Sequence, residues 1–263
     1  MTTVNEGGAP RLQYERQREI YLLALRHGSV DVSDLARHFE VTTETIRRDL
    51  SDLQERNLLL RVHGGAVPAE RHHHEPMVDA RDTQNATEKL HIAQEAILHV
   101  PENGSVIIDS GSTGQRLAEV FPVDRGVHVF TNSLVTALTL ARRGVTELTV
   151  LGGSVRTNTF AMVDAATAGA VRSLRVDVLF ISCDGLSFSR GLTTPYETES
   201  HLKRAMIESS RRVVAMVDQS KFGNDQMFAY AAPHEIDVLI TDSRVDEDAV
   251  TVLRDHGIEV RRV

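Results

Sequence analysis

Residues 41–67, VTTETIRRDLSDLQERNLLLRVHGGAV, leave the chain little choice of local structure. Thr42 suits an N-cap, because its hydroxyl can accept from an otherwise orphan amide of the first helical turn, and Val41 before it can staple onto Ile46. Ile46, Leu50 and Leu53 recur at i, i+4 and i+7 and define one buried stripe. That turns Glu44, Thr45, Arg48 and Ser51 to the far side and puts Arg47 on the flank. Asn57 can close the helix in the left-handed conformation, after which residues 58–62 read as a strand turned by His63-Gly64-Gly65. Just upstream, residues 33–40 (SDLARHFE) carry Leu35 and Phe39 on one face and fit a support helix, with Val41 and Thr42 as the tight turn. A charged helix face alone is usually only solvated. Helix, turn, helix and wing in this order predict a DNA-reading module, in which the N-terminal residues of the second helix reach base edges in the major groove. Thr43, Glu44, Thr45, Arg47 and Arg48 are therefore the expected readers, with Arg61 and His63 of the wing on phosphate or minor groove.

The remainder is too long for one such module. At 263 residues and 41% hydrophobic content the chain can bury two cores. Residues 13–27 carry Ile20, Leu23 and Ala24 at helical spacing and stop at Gly28, which predicts the first helix of the winged domain. Residues 30–32 suit a short strand against the wing. The expected organisation is a winged domain over 11–67, a linker over 68–85 and an α/β domain over 86–263. Residues 1–10, small and polar, carry no assigned role. Nine Lys and Arg against ten Asp and Glu over residues 1–67 leave that part near −1, out of −8 for the whole chain. A generally basic nucleic-acid coat is excluded, and arginines must act by local clustering. The single cysteine, Cys183, excludes an intramolecular disulfide and fits a reducing cytoplasm. With no signal-like start and no apolar run of about 18 residues, neither export nor membrane insertion is expected. His72 to His74 are adjacent and so cannot converge on one ion, and no metal or cofactor is expected.

From residue 86 the pattern alternates between helix and short apolar strand. Strands are expected over 106–109, 127–130, 148–151, 176–182, 213–217, 238–241 and 259–262. Helices are expected over 115–121, 134–143, 161–174, 199–210 and 246–256, a layout that predicts a largely parallel sheet covered on both faces. Polar and glycine residues fall at strand carboxyl ends: DSGSTG at 109–114, Thr131-Asn132-Ser133, Gly152-Gly153, Asp184-Gly185, and Asp218 with Lys221. Any one of these is readily a βα turn or an N-cap. Together they mark the edge where open α/β sheets bind ligands, and Ser112, Thr113 and Gly114, opening a helix, suit a phosphate. Cys183 reads as a packing residue at a strand end rather than a nucleophile.

VTTETIRRDL at 41–50 followed by RVHGGA at 61–66 resembles the signature of the DeoR family of bacterial transcriptional repressors. The loops DSGST, TNS, LGG, Asp184-Gly185 and DQSKFG at 218–223 are similar to those of that family's effector domain, so the resemblance runs from about residue 11 to the end. It implies a winged helix-turn-helix on double-stranded operator DNA. It also implies a Rossmann-like domain, of the fold shared with ribose-5-phosphate isomerase and CoA-transferase-like enzymes, that senses a metabolite, commonly a sugar phosphate. The effector-site candidates are Asp109, Gly111, Ser112, Thr113, Gly114, Thr131, Asn132, Gly152, Asp184, Glu197 and Lys221, for a phosphorylated sugar or polyol. Glu75-Pro76, Arg81 and Lys89 also recur in the family. Val163-Asp164 and Ile181-Ser182-Cys183 depart from its pattern.

The competing expectation is a sugar-phosphate isomerase-like enzyme using Asp184, Glu197, Glu199, Lys203 and Lys221. Glu199 and Lys203, four apart on a helix, are otherwise a surface ion pair worth about 0.3 to 0.5 kcal/mol. An isomerase has no use for a recognition helix, so regulation is the expected function. A homo-oligomer, dimer or tetramer, is expected because one winged domain offers too small an interface for tight operator binding.

Overall fold

The computed structural model describes residues 13–55, 58–62, 64–68 and 83–263. The chain divides into two compact units, Met1–Glu75 and Pro76–Val263. Asn57, His63 and the residues 72–76 and 81 singled out above lie outside the described residues.

The first unit comprises α1 (Gln13–His27), β1 (Val30–Asp31), α2 (Val32–His38), α3 (Thr43–Glu55), β2 (Leu59–Val62) and β3 (Gly65–Pro68). Its three strands form an antiparallel sheet in the order β1-β3-β2. Ile20 and Ala24 of α1, Leu35 of α2, and Ile46, Leu50 and Leu53 of α3 meet Leu59 and Ala66 in one core. The support helix is shorter than its pattern: it ends at His38, and Glu40 takes the left-handed conformation at φ 54° to make the turn into α3. Val32 belongs to α2 rather than to the strand before it, because the Asp31 side chain accepts from the amides of Ser33 and Asp34 and starts the helix there. Gly65 has a steric reason, since a Cβ there would collide with the carbonyl oxygen of Val30 in the paired strand.

The second unit is built on a seven-stranded sheet of β4 (Gly104–Ile108), β5 (Val127–Thr131), β6 (Leu148–Val150), β9 (Val176–Ile181), β12 (Ser210–Met216), β14 (Val238–Thr241) and β15 (Glu259–Arg262). Every pairing is parallel and the order is β15-β14-β12-β9-β4-β5-β6. Alternate residues serve opposite faces. Val106 and Ile108 pack with α4 (Ala86–Ala96), α5 (Ser112–Val120) and α6 (Leu134–Arg143). Ile107 packs with α7 (Ala165–Arg172), α8 (Glu197–Glu208) and α9 (Glu247–Asp255). The chain enters at β4, winds outward to β6, and returns on the other side of β4 to β9. The topological switch point therefore lies between β4 and β9.

Two smaller features were not in the pattern: a hairpin of β7 (Val155–Arg156) and β8 (Ala161–Met162), and an antiparallel sheet of β10 (Gly185–Ser187), β11 (Gly191–Thr194) and β13 (Phe228–Ala231). The hairpin takes the first residues of the helix expected over 161–174. That helix begins only at Ala165, where Asp164 caps it by accepting from the amide of Thr167.

Candidate functional site

On the first unit, burial of the Ile46–Leu50–Leu53 stripe leaves Thr43, Glu44, Arg47 and Arg48 exposed on α3. Thr42 Oγ1 accepts from the amide of Thr45 at 3.1 Å and lies 2.9 Å from Thr45 Oγ1, so the expected cap forms and the Thr45 hydroxyl is drawn into it. Arg47 leans on Glu44 at 3.5 Å. Wing and helix are tied together: the Arg61 amide donates to Gln54 Oε1 (3.0 Å), and its Nη1 donates to Ser51 Oγ (3.1 Å). Ser51 in turn donates to the carbonyl of Arg47 at 2.9 Å.

Asp49, inside the motif but unassigned from it, is 1% exposed and accepts from Arg16 Nε (2.6 Å) and Gln17 Nε2 (3.1 Å). It clamps α1 to α3. Its signal was available, because 46, 49, 50 and 53 are successive positions of one stripe and a carboxylate there must be buried with a partner.

On the second unit the carboxyl edge of the sheet opens into a narrow polar cleft at the switch point. Ser112 and Thr113 from the first turn of α5, Ser182 and Cys183 after β9, and Asp218, Ser220 and Lys221 after β12 line it, with Gln84, Asn85 and Lys89 at the start of α4. Gly111 is the residue before α5 and Gly114 lies in its first turn, where a Cβ would collide with the carbonyl of Asp109; this is what lets the helix start so close to the strand end. Asp218 caps the short turn that carries Lys221, accepting from the Ser220 amide at 3.1 Å.

Beneath this cleft lies a buried charge network. Lys203 donates to Asp109 and to the carbonyl of Ser182 (2.9 Å), and stands 3.5 Å from Glu199, whose other oxygen takes Arg156 Nη1 at 3.0 Å. Lys203, Asp109 and Glu199 are all more than nine-tenths buried. The expected surface pair of Glu199 and Lys203 is therefore corrected: α8 points this face inward, with Leu202 and Met206 beside it. Burial alone would pull the Lys203 ammonium down, but the carboxylates of Asp109 and Glu199 outweigh it and hold it above the ordinary lysine value.

The other sequence-selected residues serve differently. Asn132 is fully buried, accepts from the Ser110 amide at 3.0 Å and donates to the carbonyl of Met162, which fixes the loop behind Asp109. Thr131 accepts from the Ser133 amide. Asp184 takes the hydroxyl of Thr194 at 3.1 Å. Glu197 is exposed at the start of α8, two residues before the inward Glu199. Gly152 is likewise exposed, its carbonyl accepting from Thr167 Oγ1 at 2.7 Å. Asp164, the departure from the family pattern, is held well below the usual carboxylate range by the amides of Thr167 and Ser154. Burial pushes the Cys183 thiol up to about 12, so it carries no thiolate at neutral pH. No helix among the described residues is long and apolar enough to cross a membrane.

Comparison with known proteins places both modules. A DeoR-like helix-turn-helix domain matches residues 16–72 and a DeoR C terminal sensor domain matches residues 84–243. The uncharacterized HTH-type transcriptional regulator YulB of Bacillus subtilis is 32% identical over 249 residues, 95% of this chain and 96% of its own. The HTH-type transcriptional regulator GlpR of Haloferax volcanii is 33% identical over 95% of this chain and 97% of its own. The glycerol-3-phosphate regulon repressor of Escherichia coli is 32% identical over 94% and 98%. Among solved structures, ribose 5-phosphate isomerase A of Neisseria gonorrhoeae aligns over 54% of this chain and 55% of its own, at 19% identity and a TM-score of 0.39. With both modules matched in order, the chain belongs to the DeoR family of DNA-binding transcriptional regulators and is not an enzyme.

Proposed function

We propose that the protein represses a carbohydrate-utilisation operon in the cytoplasm, as a dimer or tetramer, and that a phosphorylated sugar or polyol in the sensor cleft changes its affinity for the operator. The observation that carries the effector reading is the cleft itself: at the switch point of a doubly wound sheet, the start of α5 and Lys221 converge on one polar space. Its phosphate sits on the amides of Ser112, Thr113 and Gly114 with Lys221 as countercharge, and Asp184 addresses hydroxyls. Asp109 and Asn132 hold the loops that shape the floor. A relative named for the regulon of a phosphorylated polyol supports the same class. Thr43, Arg47 and Arg48 read the operator, while Arg61 and His63 touch its backbone.

The test is a thermal-shift series on the full chain with glycerol 3-phosphate, fructose 1-phosphate, fructose 6-phosphate and ribose 5-phosphate, against glycerol, fructose and AMP. A true effector at about 100 times its Kd adds about 2.7 kcal/mol. Stabilisation by unphosphorylated sugars or nucleotides alone overturns the reading. Light scattering in the presence of operator DNA checks the oligomer, and a monomeric mass speaks against it.

A further inference from the structure

Beside α3 the winged unit holds a polar concavity. Gln13 and Arg16 of α1 form one wall and Thr42, Thr45 and Arg48 the other, with Glu44 and Asp49 completing the lining. It lies on the α1 flank of α3. The opposite flank carries the wing, where Ser51 takes the guanidinium of Arg61 at 3.1 Å. A helix with its side chains is about 10–12 Å across and the major groove of B-DNA is about 12 Å wide, so an inserted helix fills the groove and its flanks stand against the two sugar-phosphate walls. With Arg61 against one wall, the concavity stands against the other. Its carboxylates are already engaged, Asp49 by Arg16 (2.6 Å) and Gln17 (3.1 Å), and Glu44 by Arg47 (3.5 Å). Arg16, tied down in this way and largely buried, serves as its floor. Arg48 and Gln13 are exposed at the rim, one from each helix. Gln13 Nε2 gives one hydrogen to Asp52 (2.9 Å) and carries a second. The hydroxyls of Thr42 and Thr45 lie 2.9 Å apart, so one donates to the other and the acceptor keeps its own hydrogen to give. A guanidinium, an amide and a hydroxyl, all donors, thus line one space.

We infer that this concavity seats one backbone phosphate of the bound duplex, held by Arg48 from α3 together with Gln13 from α1, and that base reading is left to Thr43 and Arg47. The inference rests on α3 being the helix that enters the groove, and it divides the two adjacent arginines between backbone and bases. The duplex is then gripped on both walls of the groove, by the wing on one side and by Gln13 and Arg48 on the other. Such phosphate contacts fix the register and orientation of the reading helix without carrying sequence information themselves.

Binding of the full chain to two duplexes tests it: one selected by the protein from a random-sequence pool, and one of the same composition in scrambled order. The selected duplex is also made with single neutral methylphosphonates, one position at a time. Arg48→Ala should weaken both duplexes by the same factor, about ten-fold at about 0.1 M salt, lower the slope of log K against log salt by about 0.9, and preserve the ratio between them. At one position the methylphosphonate should weaken the wild type and do so several-fold less in both Arg48→Ala and Gln13→Ala. A merely structural loss in either variant would leave all positions equally affected. Arg48→Ala with reduced selectivity and undiminished binding to the scrambled duplex makes Arg48 a base reader; it overturns the inference and leaves α3 as the reading helix. So do Arg48 and Gln13 that couple to different phosphates, or a Gln13→Ala protein on which every methylphosphonate acts as on the wild type. A pool from which nothing is enriched, or binding that neither Arg47→Ala nor Arg48→Ala alters, overturns the reading of α3 and this inference with it.

Discussion

Both units place charge on a helix stripe that otherwise faces a core, and they use it differently. In the winged unit Asp49 sits among Ile46, Leu50 and Leu53, and its partner Arg16 keeps 12% of its side chain in solvent. The carboxylate fastens two helices, while the side chains of Arg47 and Arg48 face outward, Arg47 leaning on the exposed Glu44. In the sensor unit Lys203 and Glu199 sit among Leu202 and Met206, and the network they form with Asp109 lies directly under the cleft. On the proposed reading, fold and function are separable in the first unit, whereas in the second the buried network touches the cleft lining through the Ser182 carbonyl. A surface helix can offer its outer face to DNA, whereas a small ligand must be enclosed, and enclosure draws polar groups into the interior.

The sharpest test of this contrast is Lys203→Met. Removing the ammonium leaves two buried carboxylates facing each other, and breaking a buried pair on one side typically costs about 3 to 5 kcal/mol. Urea unfolding by circular dichroism should show that loss. The raised value of Lys203 fixes the sign of the pH dependence: the stabilisation is fully present below the ordinary lysine value of 10.5 and is lost as pH rises through the higher folded value. A loss below about 1 kcal/mol would break the comparison, since the network would then be no more than a neutral filling of the core.

In the winged unit the counterpart is Asp49→Ala. It removes charge-assisted bonds to Arg16 and the bond to Gln17, and the expected cost is about 2 to 3 kcal/mol, less than for Lys203 because Arg16 can turn to water. Operator affinity, measured where the variant is still folded, should stay within a factor of about three. A larger fall would show that the clamp also sets the recognition helix, and the separation of fold from function would fail.

How far the sequence was legible follows the same physics. The five inner strands of the large sheet, β4, β5, β9, β12 and β14, were readable as short apolar runs because they are largely buried, while the edge strands β6 and β15 are more exposed. β7, β8 and β10, of two or three residues, stand outside those runs, and β8 was absorbed into the helix that follows it. Glycine and hydroxyl residues at strand ends pointed to the edge where the cleft opens, whereas only helical position distinguishes Glu199, which shares a stripe with Leu202, Lys203 and Met206, from the exposed Glu197. Lys89 carried the same signal beside Ile92, Ala93 and Ala96. Asn85 could not be found this way, since its left-handed conformation and its bond to Asp218, 133 residues away, belong to tertiary structure.

The double variant Arg47→Ala, Arg48→Ala sharpens the comparison from the other side. Both side chains are exposed, so stability should change by about 0.5 kcal/mol or less. If one arginine contacts guanine bidentately, operator binding should weaken by about 1 to 3 kcal/mol with relaxed preference at one base pair. Unchanged affinity across a salt titration would remove α3 as the reading element.

Arg61→Ala is the smallest effect and the most discriminating. Its hydrogen bond to Ser51 Oγ lies at the surface, where such contacts contribute little, and the bond from its backbone amide to Gln54 survives the substitution. The unfolding midpoint should barely move. On DNA, a wing arginine that touches phosphate contributes without regard to sequence, so affinity should fall about equally for operator and random duplex, and the slope of log K against log salt should drop by about 0.9. The bond to Ser51 matters in another way: it holds the guanidinium beside the carbonyl of Arg47, so the wing's cation and the helix's cations approach the duplex as one surface. If Arg61→Ala lowers stability by more than about 1 kcal/mol, or weakens operator binding while sparing random duplex, the wing is part of either the fold or the reading face, and the division drawn for this unit is wrong.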